Sequence, residues 1–282
     1  MSRLGIGTVQ FGKKYGINNS VGQVPETEVK RILKYSLESG LDFLDTATTY
    51  GNSEEVLGRF KNIKDFNIVT KLSSEVQFIK KEIQNSLINL NVETIYACLF
   101  HDFKSFVNNE DHYSELKKAK EIGLVKKIGF SVYFPDELEY LLKNKINFDI
   151  VQLPYNLFDR RFETLFGILK ERDIEIHVRS VFLQGLFFMD TKKLSSYFNS
   201  VKPIINNLQT FCNINEIPIA EFLLNFILKN KSCDKIILGI NSVKELKENL
   251  DIEKKDNPIL RDFNFCPYKI ENENILIPYF WK

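Results

Sequence analysis

The chain has 282 residues, 44% hydrophobic and 27% charged, with 38 Lys+Arg against 37 Asp+Glu for a formal net charge of +1. That apolar content excludes a disordered chain, and 13 Gly and 4 Cys exclude collagen-like and disulfide-scaffold classes. With no global positive field, nucleic acid and anionic membranes are poor partners, and with no apolar stretch of about 18 residues the expectation is a soluble cytoplasmic protein.

Apolar, β-rich runs at residues 4–9 and 41–45 flank a segment in which Val29, Ile32, Leu33 and Leu37 recur at helical spacing. Pro25 ahead of it and Gly40 behind it frame a helix over 26–39. Ser53 followed by Glu54 and Glu55 reads as a capped, dipole-matched helix start. Strands are expected next at 66–71 and 95–101, separated by the helical pattern Ile79, Ile83, Leu87 and Leu90. Two more follow at 125–131 and 149–153, with Leu138, Leu141 and Leu142 on the helix between them. The last two strands fall at 174–180 and 235–239. Residues 182–234 are too long for a simple crossover and hold two helix-like stretches, around 201–211 and 219–228. Residues 255–282 read as an irregular tail with Pro258, Pro267 and Pro278, ending in Tyr279, Phe280 and Trp281.

About eight strands alternating with helices predict an α/β fold, a single (β/α)8 TIM barrel over 1–282, with an extended excursion after strand 7 and a C-terminal tail. Cys98, Cys212, Cys233 and Cys266 form no CxxC pair, which favours reduced core thiols over a zinc knuckle or redox dithiol.

In such a barrel, chemistry sits where strands end. Those positions hold Asp45, with Tyr50 in the loop after it, then Lys71, His101, Ser131, Gln152 and Arg179. A carboxylate, a phenol, an ammonium and an imidazole at successive strand ends suit proton transfer to a carbonyl oxygen. Tyr50 would be the acid and Lys71 the cation that lowers its pKa; Asp45 would supply the counter-charge for a buried lysine, and His101 would orient the substrate oxygen or relay the proton. Each residue alone has an ordinary structural reading as a loop-edge ion pair or a satisfied imidazole. The joint pattern carries the weight.

The segment GLDFLDTATTYGNSEEVLG at 40–58, with VTK at 69–71 and LFH at 99–101, resembles the signature of the aldo-keto reductase family. The likeness runs from GIGT at 5–8 through Asn249. It implies a barrel that binds NADP or NAD without a Rossmann fold, and a catalytic tetrad of Asp45, Tyr50, Lys71 and His101 with Tyr50 as proton donor. Among cofactor positions it implies Gly7 and Thr8, with Asp45, near the nicotinamide ribose, and Ser131 and Gln152 on the carboxamide, with Asn156 following in QLPYN. The 180–185 loop, with Ser180, Leu183 and Gly185, would cover the pyrophosphate. Gly239, Asn241, Glu245 and Asn249 would form the adenosine phosphate site at a helix start.

The sequence departs from the family at three of these places. Val132 stands where many members have Asn, and Arg179 where better-known members stack a tyrosine on the nicotinamide. Glu245 stands where NADPH-preferring members often have arginine; a carboxylate repels a 2'-phosphate and accepts a hydrogen bond from a free 2'-hydroxyl, while Lys244, Lys247 and Asn241 lie close enough in sequence to restore phosphate binding. The choice between NADP and NAD stays open, with Glu245 arguing for tolerance of NAD.

The expected reaction is reduction of an aldehyde or ketone, a sugar carbonyl being one candidate, with a small-molecule carbonyl compound as partner. The alternatives are a nicotinamide-binding regulatory or interaction subunit with little turnover, and a phosphate-binding isomerase or aldolase on the same barrel. The second leaves the 45–50 signature without a purpose, and no paired His and carboxylate spacing suggests a catalytic metal. Pocket walls are expected from Phe11, Tyr15, Phe103, Tyr133, Phe134, Phe158 and Phe182, with Trp281 a further candidate, although packing is the reading placed first for these rings. Phe187 and Phe188 fit either a core or an interface, which leaves the oligomeric state open.

Overall fold

The computed structural model describes residues 2–17, 19, 22–73, 77–107 and 110–281, so Met1 and Lys282 of the expected 1–282 unit lie outside the described residues. The strands are β1 (Leu4–Gly7), β2 (Phe43–Asp45), β3 (Asn67–Leu72), β4 (Ile95–Phe100), β5 (Val125–Ser131), β6 (Ile150–Pro154), β7 (Glu175–Arg179) and β8 (Lys235–Gly239). They pair in parallel and in chain order, and β8 closes on β1. The expected (β/α)8 barrel is the fold.

Helices α1 (Val9–Gly12), α2 (Glu26–Glu38), α3 (Ser53–Gly58), α4 (Ile79–Leu90), α5 (Phe103–Val107), α6 (Glu110–Glu121), α7 (Pro135–Lys143), α8 (Phe166–Glu171), α9 (Lys202–Ile214), α10 (Ile219–Lys229) and α11 (Val243–Lys254) occupy the connections. Helix α2 shows why the pattern works: Val29, Ile32 and Leu33 are buried on one stripe, and Gly40 supplies the positive φ of +77° that ends it. Helix α6 has a polar sequence with few apolar anchors, among them the buried Leu116 and Ala119, so its period is faint in the sequence.

Two cores hold the molecule. Phe43, Val69, Ala97, Leu99, Ile150 and Ile237 fill the barrel interior, and a larger apolar shell lies between strands and helices. At the N-terminal end of the barrel, Lys127 and Tyr96 bond the Glu175 carboxylate, and His177 lies 3.2 Å from it. Burial alone would raise the Glu175 pKa, but hydrogen bonds from His177 and Lys127 outweigh it and hold it at about 2.

The excursion after β7 contains helical turns at Leu183–Phe188 and Ser196–Phe198 before α9 and α10. The tail is more ordered than its prolines suggest, with α12 (Pro258–Arg261) and α13 (Glu273–Leu276). It docks through Ile270 N–H on the Phe158 carbonyl, and the Trp281 ring meets Phe198 edge-on at 5.1 Å while its N–H donates to Ile275 O. Cys98, Cys212 and Cys233 are buried free thiols as expected of core residues, whereas Cys266 is exposed. Among the described residues no single helix is long and apolar enough to cross a membrane.

Candidate active site

The strand register places the chemistry. Gly7 pairs with Asp45 and with Gly239, Asp45 with Val69, Lys71 with Leu99, and Ser131 with Gln152, which brings these strand ends to one mouth. There the Lys71 Nζ donates to Asp45 Oδ2 at 2.7 Å and to the Thr46 carbonyl at 2.8 Å. Gln152 Nε2 donates to the other Asp45 oxygen at 2.6 Å. Burial pulls the Lys71 pKa down, and the Asp45 carboxylate opposes it.

Tyr50 stands in the turn after β2, its N–H on Ala47 O at 3.0 Å. The Lys71 ammonium lies 5.1 Å from its ring centroid. No described residue hydrogen-bonds its hydroxyl. The expectation that Lys71 lowers the Tyr50 pKa is not met: burial first, then the Asp45 carboxylate, push it up, and Arg179 is the cation that pulls it down.

His101 follows β4 with its N–H on Leu72 O, and its ring meets Tyr50 edge-on at 5.7 Å. Thr49 Oγ1 lies 3.0 Å from Nδ1. Burial, then the positive charges of Lys71, Arg179 and Lys13, push its pKa down to about 3. The imidazole is therefore neutral at physiological pH and suited to orienting an oxygen.

A cavity of about 590 Å³ opens over this group and runs to the β8 end. Of the positions expected to hold cofactor, Gly7, Thr8, Asp45, Ser131, Gln152, Arg179, Ser180, Gly185, Gly239, Asn241, Glu245 and Asn249 all line it. Leu183 does not. Its φ is +45° and its side chain is wholly buried in the core. Asn156 is also off the wall: its Nδ2 donates to Ser180 O at 3.1 Å and its Oδ1 accepts from Phe158 and Asp159 N–H, so it braces the loop after β7.

The departures from the family pattern have structural accounts. Arg179 stacks over Tyr133 at 4.1 Å and donates to the Val132 carbonyl at 3.1 Å. The Val132 side chain is buried. Glu245 accepts the Asn241 N–H at 2.7 Å and its Nδ2 at 3.1 Å, which shapes the loop before α11. Neither neighbouring lysine lines the cavity: Lys247 lies over the Tyr35 ring on α2, and Lys244 faces Glu248 at 3.8 Å.

Of the expected wall residues, Tyr15, Tyr133 and Phe182 line the cavity. Phe11 and Phe158 are fully buried, and Phe103, Phe134 and Trp281 pack against the core. Ser53 is the first residue of α3 rather than its cap; its hydroxyl donates to Thr8, while the Glu54 behind it is buried, takes the Thr70 hydroxyl and is raised in pKa by that burial. Sequence reasoning missed Gln10, Lys13, Thr49 and Glu248, all on the wall. Gln10 follows Thr8 by two residues, so the strand-end rule applied to β1 could have found it.

Two buried acceptors on this wall, Gln152 Oε1 and Gln10 Oε1, have no hydrogen-bond partner among the described residues. Orphaned acceptors of this kind are costly unless a ligand supplies N–H donors. A carboxamide does so, and the residues present fit a nicotinamide cofactor.

The chain matches the model of the aldo/keto reductase family over residues 3–258. It is 22% identical to an uncharacterized oxidoreductase, YqkF, of Bacillus subtilis (strain 168), covering 89% of this chain and 86% of that one. It is also 22% identical to L-galactose dehydrogenase of Arabidopsis thaliana, covering 89% and 83%. In three dimensions it is similar to the holo form of aldo-keto reductase AKR11C1 from Bacillus halodurans, with a TM-score of 0.74, 20% identity and coverage of 92% of this chain and 90% of that one. The chain belongs to the aldo/keto reductase family and is an oxidoreductase.

Proposed function

We propose that the protein reduces an aldehyde or ketone with NADH or NADPH, and that Tyr50 delivers the proton to the carbonyl oxygen. The observation that carries this reading is the Tyr50 phenol, its hydroxyl unpartnered among the described residues and its ring beside both the buried Lys71–Asp45 pair and a neutral His101. The nicotinamide, when bound, supplies the hydride. Gln152 and Ser131 at the mouth would hold the cofactor's carboxamide, the 180–185 loop would cover its pyrophosphate, and Asn241 and Asn249 would hold its distal half.

Within the chain, burial raises the Tyr50 pKa, so the phenol is protonated at physiological pH and holds a proton to give. Neutral His101 orients the oxygen by donating a hydrogen bond. Its Nδ1 faces Thr49 Oγ1, so Nε2 is left as the donor when the hydroxyl gives its proton to Nδ1. The Lys71–Asp45 pair fixes the floor beneath the phenol.

We also propose that NADH is accepted, because Glu245 and Glu248 line the distal end while neither Lys244, which faces Glu248, nor Lys247, which lies over Tyr35, lines it. The partners of this reading are small carbonyl compounds, with neither nucleic acid nor membrane, in the cytoplasm. Relatives named L-galactose dehydrogenase and L-glyceraldehyde 3-phosphate reductase support a sugar-like carbonyl.

The test is Tyr50→Phe assayed with a panel of aldehydes and both cofactors. Turnover should fall by about 10²- to 10⁴-fold while cofactor affinity by fluorescence titration stays near that of the parent. Turnover persisting at the parental rate would refute the assignment.

A further inference from the structure

The turn after β1 and the turn after β2 touch at their backbones. A Cβ on Gly12 would lie 1.7 Å from the Tyr50 carbonyl oxygen, and one on Gly51 would lie 2.3 Å from the Gly12 carbonyl oxygen. Only glycine permits this approach, and it fixes the next residue, Lys13, against the catalytic turn. Lys13 Nζ then donates to the Thr49 carbonyl at 2.9 Å and stands 5.9 Å from the Tyr50 ring centroid, on the cavity wall.

An ammonium carries three donors, and among the described residues one of them is used here. Among the described residues no carboxylate pairs with Lys13. The charges around it do not cancel it either. Lys71 is matched by Asp45; Arg179, stacked on Tyr133, has no carboxylate partner among the described residues; and the wall carboxylates Glu245 and Glu248 sit at the β8 end. The reacting end of the cavity thus holds two uncompensated cations, and both depress the pKa of His101. A concave wall of one sign concentrates a ligand of the other. Arg179 is assigned above to the cofactor side, which leaves Lys13 for the substrate.

We propose that Lys13 receives an anionic group of the substrate, so that the preferred substrates are carbonyl compounds bearing a carboxylate or a phosphate a few bonds from the carbonyl carbon. The assignment rests on the reductase reading. It makes Lys13 a specificity-determining residue, and the proton on Tyr50 is untouched by it.

The experiment compares kcat/KM of the cofactor-loaded enzyme on matched pairs: glyceraldehyde against glyceraldehyde 3-phosphate, and butanal against succinic semialdehyde. The parent should favour at least one anionic member, and the two pairs separate phosphate from carboxylate as its source. Lys13→Met should lower kcat/KM for that anionic member about 10- to 100-fold, chiefly through KM, and Lys13→Arg should retain most of the preference. The preference should also shrink as ionic strength rises. Turnover with no preference for either anionic partner, or an equal loss on charged and neutral members in Lys13→Met, overturns this proposal alone. No turnover of any aldehyde overturns the reductase reading and this proposal with it.

Discussion

Lys71 Nζ lies 2.7 Å from Asp45 Oδ2, and the two side chains are 1% and 5% exposed. A pair so shielded is held by its geometry, because each partner is the chief compensation for the other's lost hydration.

Asp45→Asn should therefore destabilise the fold by about 3–5 kcal/mol, since Lys71 would keep a buried charge without its counter-ion. Urea unfolding measures this directly. The double variant Asp45→Asn with Lys71→Met should recover part of the loss. Equal stabilities for the single and double variants would show that the pair is not coupled.

Acid stability follows from the depressed groups. His101 falls from 6.5 to about 3 on folding, so between those values the unfolded chain binds more protons, and stability present above 6.5 is lost as pH falls toward 3. Glu175, lowered from 4.5 to about 2, adds a further loss as pH falls from 4.5 through 2. Glu54, raised by burial, works in the opposite direction. His101→Asn should flatten the first window in urea midpoints taken across pH and leave the second. Parallel curves for parent and variant would contradict the assignment.

Cofactor preference should answer to one carboxylate. Glu245→Arg removes the repulsion of a 2'-phosphate and offers a guanidinium in its place, so the NADPH-to-NADH affinity ratio should rise about tenfold or more. Fluorescence titration with both cofactors reads it out. The same change deletes the acceptor that holds Asn241 N–H, so NADH affinity should fall as well. An unchanged ratio would remove Glu245 from the discrimination.

Strand ends were legible because a parallel barrel gives its buried strands short apolar runs and brings their C-terminal ends into common register. Asp45, Lys71 and Gln152 could be set at one mouth from that rule alone. Aromatic rings were harder to place. Phe11 and Tyr15 are four residues apart after β1, yet Phe11 is fully buried in α1 while Tyr15, 40% exposed, lines the cavity. Hydrophobicity does not record which way a loop faces. The Tyr50 pKa is illegible for another reason: the sequence places a cation nearby but shows neither how far the phenol is buried nor that Asp45 also acts on it.

The contact of Gly12 with Gly51 ties the wall that carries Lys13 to the turn that carries Tyr50. Neither segment is a free module. Anyone grafting the first turn from a homologue to alter substrate choice would have to transplant the second with it, because a mismatched pair would displace Tyr50 along with the new wall. Variation in substrate range by descent faces the same restriction, and should move through paired changes in these two turns.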